Sequence, residues 1–481
     1  MRKKHSARRQ ARRPGAAEPP QKRGPSARGG KPRPARKPSA RTRPHEQLVE
    51  GEVLPFELGQ DGVAVQVGQR RLMLPAGVPG DRVRLVVTER GQALDRLLEP
   101  AKTRVTPACP LLDSCGGCSL QAMGYRAQLE AKADGLRRAL VELGAAELPV
   151  PEVAGLARPY GYRTRLLMAA GGRPGELRLG FYRRGSMVLV PAEGCPVQHP
   201  QSLATLASVR QVLDAFRVAP SSTPGAGWLH AVGVRVDPVS GETEVALSAS
   251  SPRAPRDLAA QLASLPTVSG VHLTVNPERT SYPMEAPFRT LTGRPHTAFT
   301  LGGERILISP GTFLQTCAEA NEQLLQCLHA LLPDRVDLLA DLYAGAGLLA
   351  LGTRTRWRRA VTLEANPVAV GDLRRYLRHF GLSHVTVLEG RVEQRIDEAL
   401  QHGPDVVLLD PPRRGCQPRV IDALLDHRPP LLLYVGCGFE ALMAQSRRLV
   451  QGGYRVTGAA AVDMFPHTTQ LELVLRFEAA S

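Results

Sequence analysis

The sequence predicts an α/β protein that carries a Rossmann-like sheet in its C-terminal part. A small antiparallel β-barrel precedes it near the N-terminus, and a mixed α+β region lies between the two. Three observations predict this. Residues 301–481 alternate short apolar runs with helical patterns, residues 46–104 alternate β-rich runs with turn signals, and residues 105–300 mix both patterns. A chain of 481 residues is also long enough for about three domains.

The first 45 residues form a segment of their own. They hold 16 lysines and arginines against one acid, Glu18, and so contribute +15 of the net charge of +17. They are rich in proline, alanine, glycine and serine, a composition that favours a disordered basic tail. Two interpretations of the tail stay open: an electrostatic anchor for RNA phosphates, or a solvated extension without a partner.

Residues 46–104 predict the barrel. Turn residues such as Gly59, Gly68 and Gly80 separate short β-rich runs, which is the spacing of a small OB-like barrel. The segment holds one aromatic residue, Phe56, so base stacking is not its main mode of contact with nucleic acid. A barrel with a purely structural role is the alternative.

The region between residues 105 and 300 is predicted to hold a helix over residues 122–144 and a later β-hairpin. The hairpin is formed by HAVGVRVD and TEVALSAS, with PVSG between them. The helical spacing predicts an apolar face that consists of Leu129, Ala133, Leu136, Leu140 and Leu143.

Three of the eight cysteines crowd into one short loop, as Cys109, Cys115 and Cys118, with Gly116 and Gly117 among them. No apolar stretch has the length of a transmembrane helix, and the opening MRKKHSARRQARRP lacks the apolar region of a secretory signal. These observations predict a cytoplasmic protein without membrane contact, in which thiols stay reduced. A metal or catalytic site is therefore favoured over disulfides.

The clearest chemistry lies at the predicted carboxyl ends of the C-terminal strands, where open α/β sheets bind ligands. VDLLADLYAGAGLLAL leads into a turn with Gly345 and Gly347. AVTLEANPVAVGDLRRYL ends its strand at Glu364, and DVVLLDPPRRG ends a third strand at Asp410. Glu364 lies 23 residues beyond Asp341, a spacing at which an acid can take a ribose hydroxyl pair. Together these features predict a site for S-adenosylmethionine (SAM).

A fourth strand, PPLLLYVGCG, ends at Cys437. Methylation of an exocyclic amine usually requires an aromatic residue after Asp-Pro-Pro, and Arg413 stands there instead. Methylation of uracil C5 requires a thiolate that adds at C6 and a base that later removes the C5 proton. Cys437 suits the first role. Glu472, in the apolar run LELVLRF, suits the second, because a buried carboxylate is costly without a purpose.

The whole set of motifs resembles the RNA 5-methyluridine methyltransferases that carry an N-terminal TRAM domain, and among them the 23S ribosomal RNA enzymes. The resemblance covers residues 48–478. It includes CPLLDSCGGCSLQ, GYRTRLLMAA, LGFYRRGS, EGCPV, SPGTFLQT, DLYAGAG, LEANPVAV, LLDPPRRG, YVGCG and DMFPHTTQLE. It implies a monomeric, SAM-dependent enzyme that methylates uracil C5 through a covalent Cys–C6 adduct. Ribosomal RNA is favoured over transfer RNA as its partner.

The resemblance also implies roles for individual residues. Cys437 becomes the nucleophile and Glu472 the base. The implied SAM-binding residues are Gln315, Tyr343, Gly345, Glu364 and Asp410. A [4Fe–4S] cluster is implied on four cysteines, which are Cys109, Cys115, Cys118 and Cys195. The same four thiolates would suit zinc equally well.

The chain departs from the family pattern at three places. Glycines flank Cys437 where the family has Ser-Cys-Asn-Pro, Gln470 replaces a histidine two residues before the base, and Arg391 replaces an Asn or Asp. Two other functions stay open. An RNA cytosine-C5 methyltransferase would need Cys416 as a second active-site thiol, and a non-catalytic RNA-binding or assembly protein would show no SAM turnover.

Overall fold

A computed structural model describes residues 46–89, 91–223, 227–252, 254–277, 284, 287–301 and 303–480. The basic tail predicted over residues 1–45 lies outside the described residues, so its predicted disorder stays a prediction.

Strands and helices alternate through the described residues. The strands are β1 (Gln47–Val53), β2 (Val63–Val67), β3 (Arg70–Leu74), β4 (Arg82–Thr88), β5 (Gly91–Glu99), β6 (Val153–Ala154), β7 (Arg165–Arg173), β8 (Glu176–Tyr182), β9 (Leu189–Pro191), β10 (Leu229–Val236), β11 (Thr243–Ala249), β12 (Val268–Val275), β13 (Phe288–Gly293), β14 (Thr297–Leu301), β15 (Glu304–Ile308), β16 (Val336–Leu342), β17 (Trp357–Glu364), β18 (Val385–Glu389), β19 (Val406–Leu409), β20 (Leu431–Gly436), β21 (Tyr454–Val462) and β22 (Glu472–Ala479). The helices are α1 (Tyr125–Glu142), α2 (Pro200–Ala215), α3 (Arg256–Ala263), α4 (Ala318–Leu331), α5 (Leu348–Gly352), α6 (Pro367–His379), α7 (Val392–Leu400), α8 (Pro418–His427) and α9 (Phe439–Gln451).

Strands β1 to β5 form one antiparallel sheet, in the order β3-β2-β1-β4-β5. Its edge strands meet, because Gln92 Nε2 on β5 donates a hydrogen bond to the Met73 carbonyl on β3 at 2.8 Å. Val53, Val65 and Leu85 are fully buried inside the sheet. The segment is therefore a half-barrel, and the predicted antiparallel β structure is confirmed at that level.

The middle of the chain is built on a seven-stranded sheet with the order β13-β12-β11-β10-β7-β8-β9. Residues of α2 and α3 share its apolar core. β10 and β11 pair antiparallel with Val234 opposite Val245, which confirms the predicted hairpin. β11 and β12 run parallel, with α3 as the crossover between them.

Strands β16 to β20 form the parallel half of an eight-stranded sheet with the order β18-β17-β16-β19-β20-β22-β21-β6. Alternate residues of β16 enter two different cores, Leu338 and Ala340 in one and Leu339 in the other, so both faces of the sheet are covered. The strand order reverses between β16 and β19, and ligands of open α/β sheets bind at this switch point. β22 runs antiparallel to β20, which brings its first residue to the same edge.

Helix α1 connects the half-barrel to the C-terminal sheet. One apolar core extends from β1 through Leu136 of α1 to Tyr434 of β20. Gly135 permits the close approach of the half-barrel, because a Cβ atom there would lie 2.6 Å from Leu58 Cγ. The short strand β6 follows α1 and pairs in parallel with β21. Both elements thus pack on the C-terminal sheet although they precede the seven-stranded sheet in the chain.

The predicted helix over residues 122–144 is confirmed as α1. Of its predicted apolar face, Leu136, Leu140 and Leu143 are buried, and Leu129 and Ala133 pack against the same core. Gln128 and Lys132 are buried in line with Leu136 and Leu140. Gln128 also contacts His467 and Lys132 pairs with Asp463, and both of these partners lie more than 300 residues away in sequence, where helical spacing gives no information. Within the described residues, no helix is both long and apolar enough to span a bilayer.

Candidate active site

The turn after β16 carries Tyr343 and Gly345, both with left-handed backbone, at φ 64° and 56°. The Gly345 amide donates to Glu364 Oε2 at 2.8 Å, and the Asn366 amide donates to Oε1 at 2.7 Å. These bonds fix Glu364, at the end of β17, beside the turn and leave lone pairs on both carboxylate oxygens. The predicted glycine turn and the predicted strand-end acid therefore lie together.

A group of carboxyls occupies the switch point at the ends of β16 and β19. Asp341 is 1% exposed, and neither of its oxygens has a partner within hydrogen-bond distance, although the Ala350 amide lies near. Burial, reinforced by the charges of Asp410 and Glu364, raises the pKa of Asp341 to about 8. Burial likewise raises the pKa of Asp410 to about 7. An acidic crevice of this kind suits a cationic ligand.

Cys437 directly follows β20, and Glu472 begins β22, the antiparallel neighbour of β20. Leu473 of β22 pairs with Gly436 of β20, and the same register sets Glu472 opposite Cys437. Burial, with the charge of Asp410, raises the pKa of Glu472, which is 2% exposed, well above its usual range. Burial and the charge of Glu472 raise the pKa of the half-buried Cys437 thiol to about 11. The thiol and carboxyl predicted as a pair are thus brought together.

Arg413 is a cation in this group that the sequence analysis did not assign. Its guanidinium lies near the Cys437 thiol and lowers the pKa values of Cys437 and Glu472. It also lies over the Phe465 ring, 5.5 Å from the centroid. The turn of Arg413 packs on Gly438, where a Cβ atom would lie 1.9 Å from the Arg413 carbonyl oxygen. This close approach explains why glycine stands at a position where the resembled family has asparagine.

Cys416, the alternative nucleophile, is 6% exposed. Its thiol donates to the Tyr434 hydroxyl at 3.9 Å and contacts the phenol of Tyr343, and burial raises its pKa to about 11. The side-chain amide of Gln445 on α9 makes two hydrogen bonds with the backbone of Cys416. The Cys416 amide donates to Oε1 at 3.0 Å, and Nε2 donates to the Cys416 carbonyl at 2.9 Å. Cys416 and Gln445 therefore fix the turn that carries Arg413, and no local pattern in the sequence indicates this role of Gln445.

Gln315 is half-buried on a loop that precedes α4. The carboxylate of Asp372 on α6 holds the start of this loop. It accepts hydrogen bonds from the Ser309 amide at 2.9 Å and from the Thr312 hydroxyl at 2.6 Å. Asn366 Nδ2 donates to the loop carbonyl of Gly311 at 3.1 Å, which ties the loop to the segment after Glu364.

The cysteine loop, residues 109–118, brings its three thiols near Cys195 of the middle region. All four thiols are free and half-buried. Burial raises the pKa of Cys118 to about 11, and the other three thiols add to that rise. Gln121 braces the loop, because it accepts from the Cys109 amide at 3.1 Å and donates to Cys118 Sγ at 3.3 Å. In the described part of the chain, no three His, Cys, Asp or Glu side chains converge as a ready metal site.

The other two departures from the family pattern lie near the crevice. Gln470, two residues before Glu472, donates through Nε2 to the Gly59 carbonyl of the half-barrel at 3.1 Å. Arg391 is the N-cap residue of α7, after β18, the neighbour of β17 in the sheet.

The chain is similar to curated RNA methyltransferases along most of its length. It is 33% identical to an uncharacterised RNA methyltransferase of Nostoc sp., over 89% of this chain and 95% of the relative. It is 32% identical to another from Thermosynechococcus vestitus, over 87% of this chain and 95% of the relative. The fold matches the crystal structure of Pyrococcus abyssi tRNA (uracil-54, C5)-methyltransferase in complex with S-adenosyl-L-homocysteine. That match has a TM-score of 0.70 and 22% identity, and it covers 89% of this chain and 99% of that one. No family model matches the chain.

Proposed function

The chain belongs to this family of RNA methyltransferases, and on that premise we propose that it transfers the methyl group of SAM to C5 of uracil in RNA. The observation that carries the proposal is the strand register that sets Glu472 opposite Cys437 at the carboxyl edge of the sheet. A nucleophilic thiol and a general base are the two protein groups that this reaction needs.

Cys437 begins the reaction. Its thiol gives its proton to water, and the thiolate sulfur adds to C6 of uracil, which moves an electron pair onto C5 and O4 as an enolate. The Arg413 guanidinium favours this step, because it lowers the thiol pKa that burial raises. Bound SAM supplies the methyl group that C5 then takes.

Glu472 completes the reaction. It accepts the C5 proton, the electron pair re-forms the C5–C6 double bond, and the sulfur of Cys437 leaves. Burial favours the protonated carboxyl, which cannot accept this proton, and the guanidinium of Arg413 favours the charged form that can. Arg413 therefore assists both halves of the cycle.

The strand-end residues are proposed to hold SAM, and they are Gln315, Tyr343, Gly345, Glu364 and Asp410. The free lone pairs of Glu364 suit the two ribose hydroxyls. Asp410 and the buried Asp341 suit the positive sulfonium and ammonium groups of SAM, because a cation beside them favours the loss of the protons that their raised pKa values retain.

The cytosine alternative is less well supported. Enzymes of that kind use a second active-site thiol, and Cys416 is the candidate. Cys416 suits a structural role instead, because it is buried, its thiol hydrogen-bonds to Tyr434, and its backbone hydrogen-bonds to Gln445. We therefore favour uracil as the target base.

We also favour ribosomal RNA over transfer RNA and a cytoplasmic setting, because the half-barrel, the cysteine loop and the basic tail suit a large folded substrate. Mapping of 5-methyluridine in total RNA from a strain that lacks the protein tests this choice. Loss of a site in ribosomal RNA supports it, and loss in transfer RNA alone overturns it. Unchanged 5-methyluridine would overturn the activity itself.

The two proposed catalytic residues should fail in different ways. Cys437→Ala should abolish methyl transfer while SAM still binds, because the thiol acts on RNA. Glu472→Gln should allow addition and methyl transfer but stall the release of sulfur. A protein–RNA adduct that carries label from methyl-labelled SAM should then survive denaturing electrophoresis. Turnover of Glu472→Gln at the wild-type rate, or an adduct on Cys416, would contradict the assignment.

We further propose that Cys109, Cys115, Cys118 and Cys195 hold a [4Fe–4S] cluster. The donor set suits it, since four free, half-buried thiols lie near enough to affect one another's pKa. Protein purified without oxygen should be brown and hold about four irons per chain. Cys115→Ser should lose the iron and unfold at lower temperature, because metal-site energy is also folding energy. Stoichiometric zinc in a colourless protein would contradict the cluster.

A further inference from the structure

Residues 463–471, here called the base loop, connect β21 to β22 and immediately precede Glu472. Val462, the last residue of β21, pairs with Glu472, so the loop closes directly on the proposed base. Asp463 and His467 in this loop are buried. His467 has a φ of 68°, a conformation that a non-glycine residue keeps only where its surroundings impose it. The groups that hold the loop therefore also set the position of Glu472.

A buried ion pair holds the start of the base loop. Lys132 on α1 donates to Asp463 Oδ1 at 2.7 Å, and both side chains are fully buried. Lys132 Nζ also donates to the Phe465 carbonyl at 3.4 Å. Such a pair adds little net stability, but it tolerates only one arrangement, because a lone buried charge is costly.

Gln128, one helical turn before Lys132, holds the middle of the base loop with its whole amide. Its Oε1 accepts the His467 N–H at 2.9 Å, and its Nε2 lies 3.2 Å from His467 Nδ1. The same Nε2 donates to the carbonyls of Leu120 and Met123, at 3.1 and 2.8 Å. One fully buried side chain thus ties the base loop to the segment that leaves the cysteine loop.

That segment also bonds to His467 directly. The amides of Ser119 and Leu120, which follow Cys118, both donate to the His467 carbonyl, at 3.0 and 2.9 Å. The ring nitrogen Nε2 lies 2.9 Å from the Pro159 carbonyl. All polar atoms of His467 are therefore engaged by α1, by the exit of the cysteine loop and by the segment near Pro159.

We propose that Gln128 and the cysteine loop together position the base, so that the state of the four cysteines controls how fast Glu472 removes the C5 proton. The inference rests on the proposed function, which makes Glu472 the base. Gln128 is a positioning residue in this account, because it acts on Glu472 through His467.

The nucleophile is held by other contacts. Cys437 lies beside the turn of Arg413, and Gln445 fixes that turn through the backbone of Cys416. The base loop meets this group at Phe465, near the ion-pair anchor. Loss of Gln128 should therefore displace the base while sulfur addition and methyl transfer continue, so methylated RNA would stay bound to the nucleophile.

Gln128→Met is the test, because it keeps the length of the side chain and removes its hydrogen bonds. Release of methylated RNA should slow roughly 10- to 100-fold, as for other misplaced catalytic groups. A covalent adduct labelled from methyl-labelled SAM should accumulate on denaturing gels with a uracil-containing RNA. The matched control is Gln323→Met on α4, which removes a donor to the Gly155 carbonyl at 2.8 Å and should add no adduct.

Cys115→Ser is the second variant, and it leaves α1 unchanged. The amount of labelled adduct should rise in proportion to the metal lost, which is measured as iron and zinc content. Wild-type protein stripped of metal should accumulate the same adduct. If circular dichroism shows that either variant is unfolded, the metal-stripped wild type alone decides whether the cysteine site affects adduct release.

The outcomes separate the two proposals. If Glu472→Gln accumulates the adduct while folded Gln128→Met and metal-stripped wild type do not, the inference is wrong and the proposed function stands. No adduct with Glu472→Gln, and no 5-methyluridine made by the wild type, would overturn the proposed function instead.

Discussion

At the scale of single residues, the crevice is a set of acids with raised pKa values. Burial is the largest cause for Asp341, Asp410 and Glu472, and the charge of Asp410 adds to the rise for the other two. Groups of this kind lose their protons more readily when a cation arrives. The ligand-free protein therefore holds protons at the same place where we propose that a positively charged cofactor binds.

Asp341→Asn should change how stability depends on pH. The folded pKa of about 8 lies above the ordinary value of 3.8, so the folded protein holds an extra proton between these values. Stability of the SAM-free wild type should thus fall as the pH rises through that window. The unfolding temperature of Asp341→Asn relative to wild type should therefore be higher at pH 8 than at pH 5.

Asp337→Asn, at the other end of the same strand, is the control. Hydrogen bonds from Arg358 and Arg359 hold the pKa of Asp337 down, at about 2, so it does not titrate between pH 5 and 8. Its effect on the unfolding temperature should stay constant over that range. An equally constant difference for Asp341→Asn would show that Asp341 is ionised in the ligand-free fold.

Residue patterns predicted the strand-end acids and the thiol but not the residues that brace them. Glu364, Asp410 and Cys437 end apolar runs, and parallel strands place their ends together by a general rule. Gln128 and Lys132 instead interrupt the spacing of an apolar helix face and look like solvent-exposed positions. Their burial depends on partners on the base loop, and nothing local in the sequence records that pairing.

At the scale of elements, the site depends on two turns in close contact. The turn between β20 and α9 carries Cys437, and the turn after β19 carries Arg413. They touch at Gly438, where the space for a side chain is filled by the Arg413 carbonyl. The cation that lowers the pKa of the Cys437 thiol is thus held in place by backbone packing.

Gly438→Ala should push the two turns apart. Methyl transfer should fall roughly 100-fold, as for other small displacements of catalytic groups, while SAM affinity stays near wild type. Gly371→Ala on α6 is the control, because a Cβ atom there meets no atom within 4 Å. It should leave activity unchanged and raise stability by about 0.5–1 kcal/mol. Full activity of Gly438→Ala would mean that the contact does not matter for catalysis.

Elements were predicted best where their pattern is local. The apolar runs of the parallel strands and the β10–β11 hairpin follow from short stretches of sequence. The position of β6 in the sheet does not follow from any short stretch of sequence. This two-residue strand joins the edge of the eight-stranded sheet through β21, about 300 residues further along the chain, and no pattern of its own indicates that pairing.

At the scale of the whole molecule, the half-barrel is docked onto the catalytic region. The Gly59 amide donates to the Thr469 carbonyl at 2.9 Å, and the Thr469 hydroxyl donates to the Gln60 carbonyl. Asp61 pairs with Arg184, whose guanidinium also donates to the Gly116 carbonyl of the cysteine loop at 3.1 Å. One loop of the half-barrel therefore touches the base loop directly and is linked to the cysteine loop through Arg184.

Deletion of residues 1–45 should weaken RNA binding without moving the methylated position. It removes 16 of the 62 lysines and arginines. Each lost phosphate contact should reduce the slope of log affinity against log salt by about 0.7 for a single strand. Filter binding over a range of salt concentrations measures this slope. An identical slope for the shortened and full-length proteins would mean that the tail does not contact RNA.

The contacts that hold the base loop join residues that are far apart in the chain, with separations of 339 for Gln128 and His467 and 409 for Gln60 and Thr469. Such contacts form late in folding, because a long loop must close before they can be made. Synthesis delivers the half-barrel, the cysteines and Cys437 before Glu472. A growing chain on the ribosome, surrounded by RNA, therefore carries the thiol without the base. If Cys437 and Glu472 act as we propose, covalent chemistry on RNA becomes productive only when β22 inserts between β20 and β21.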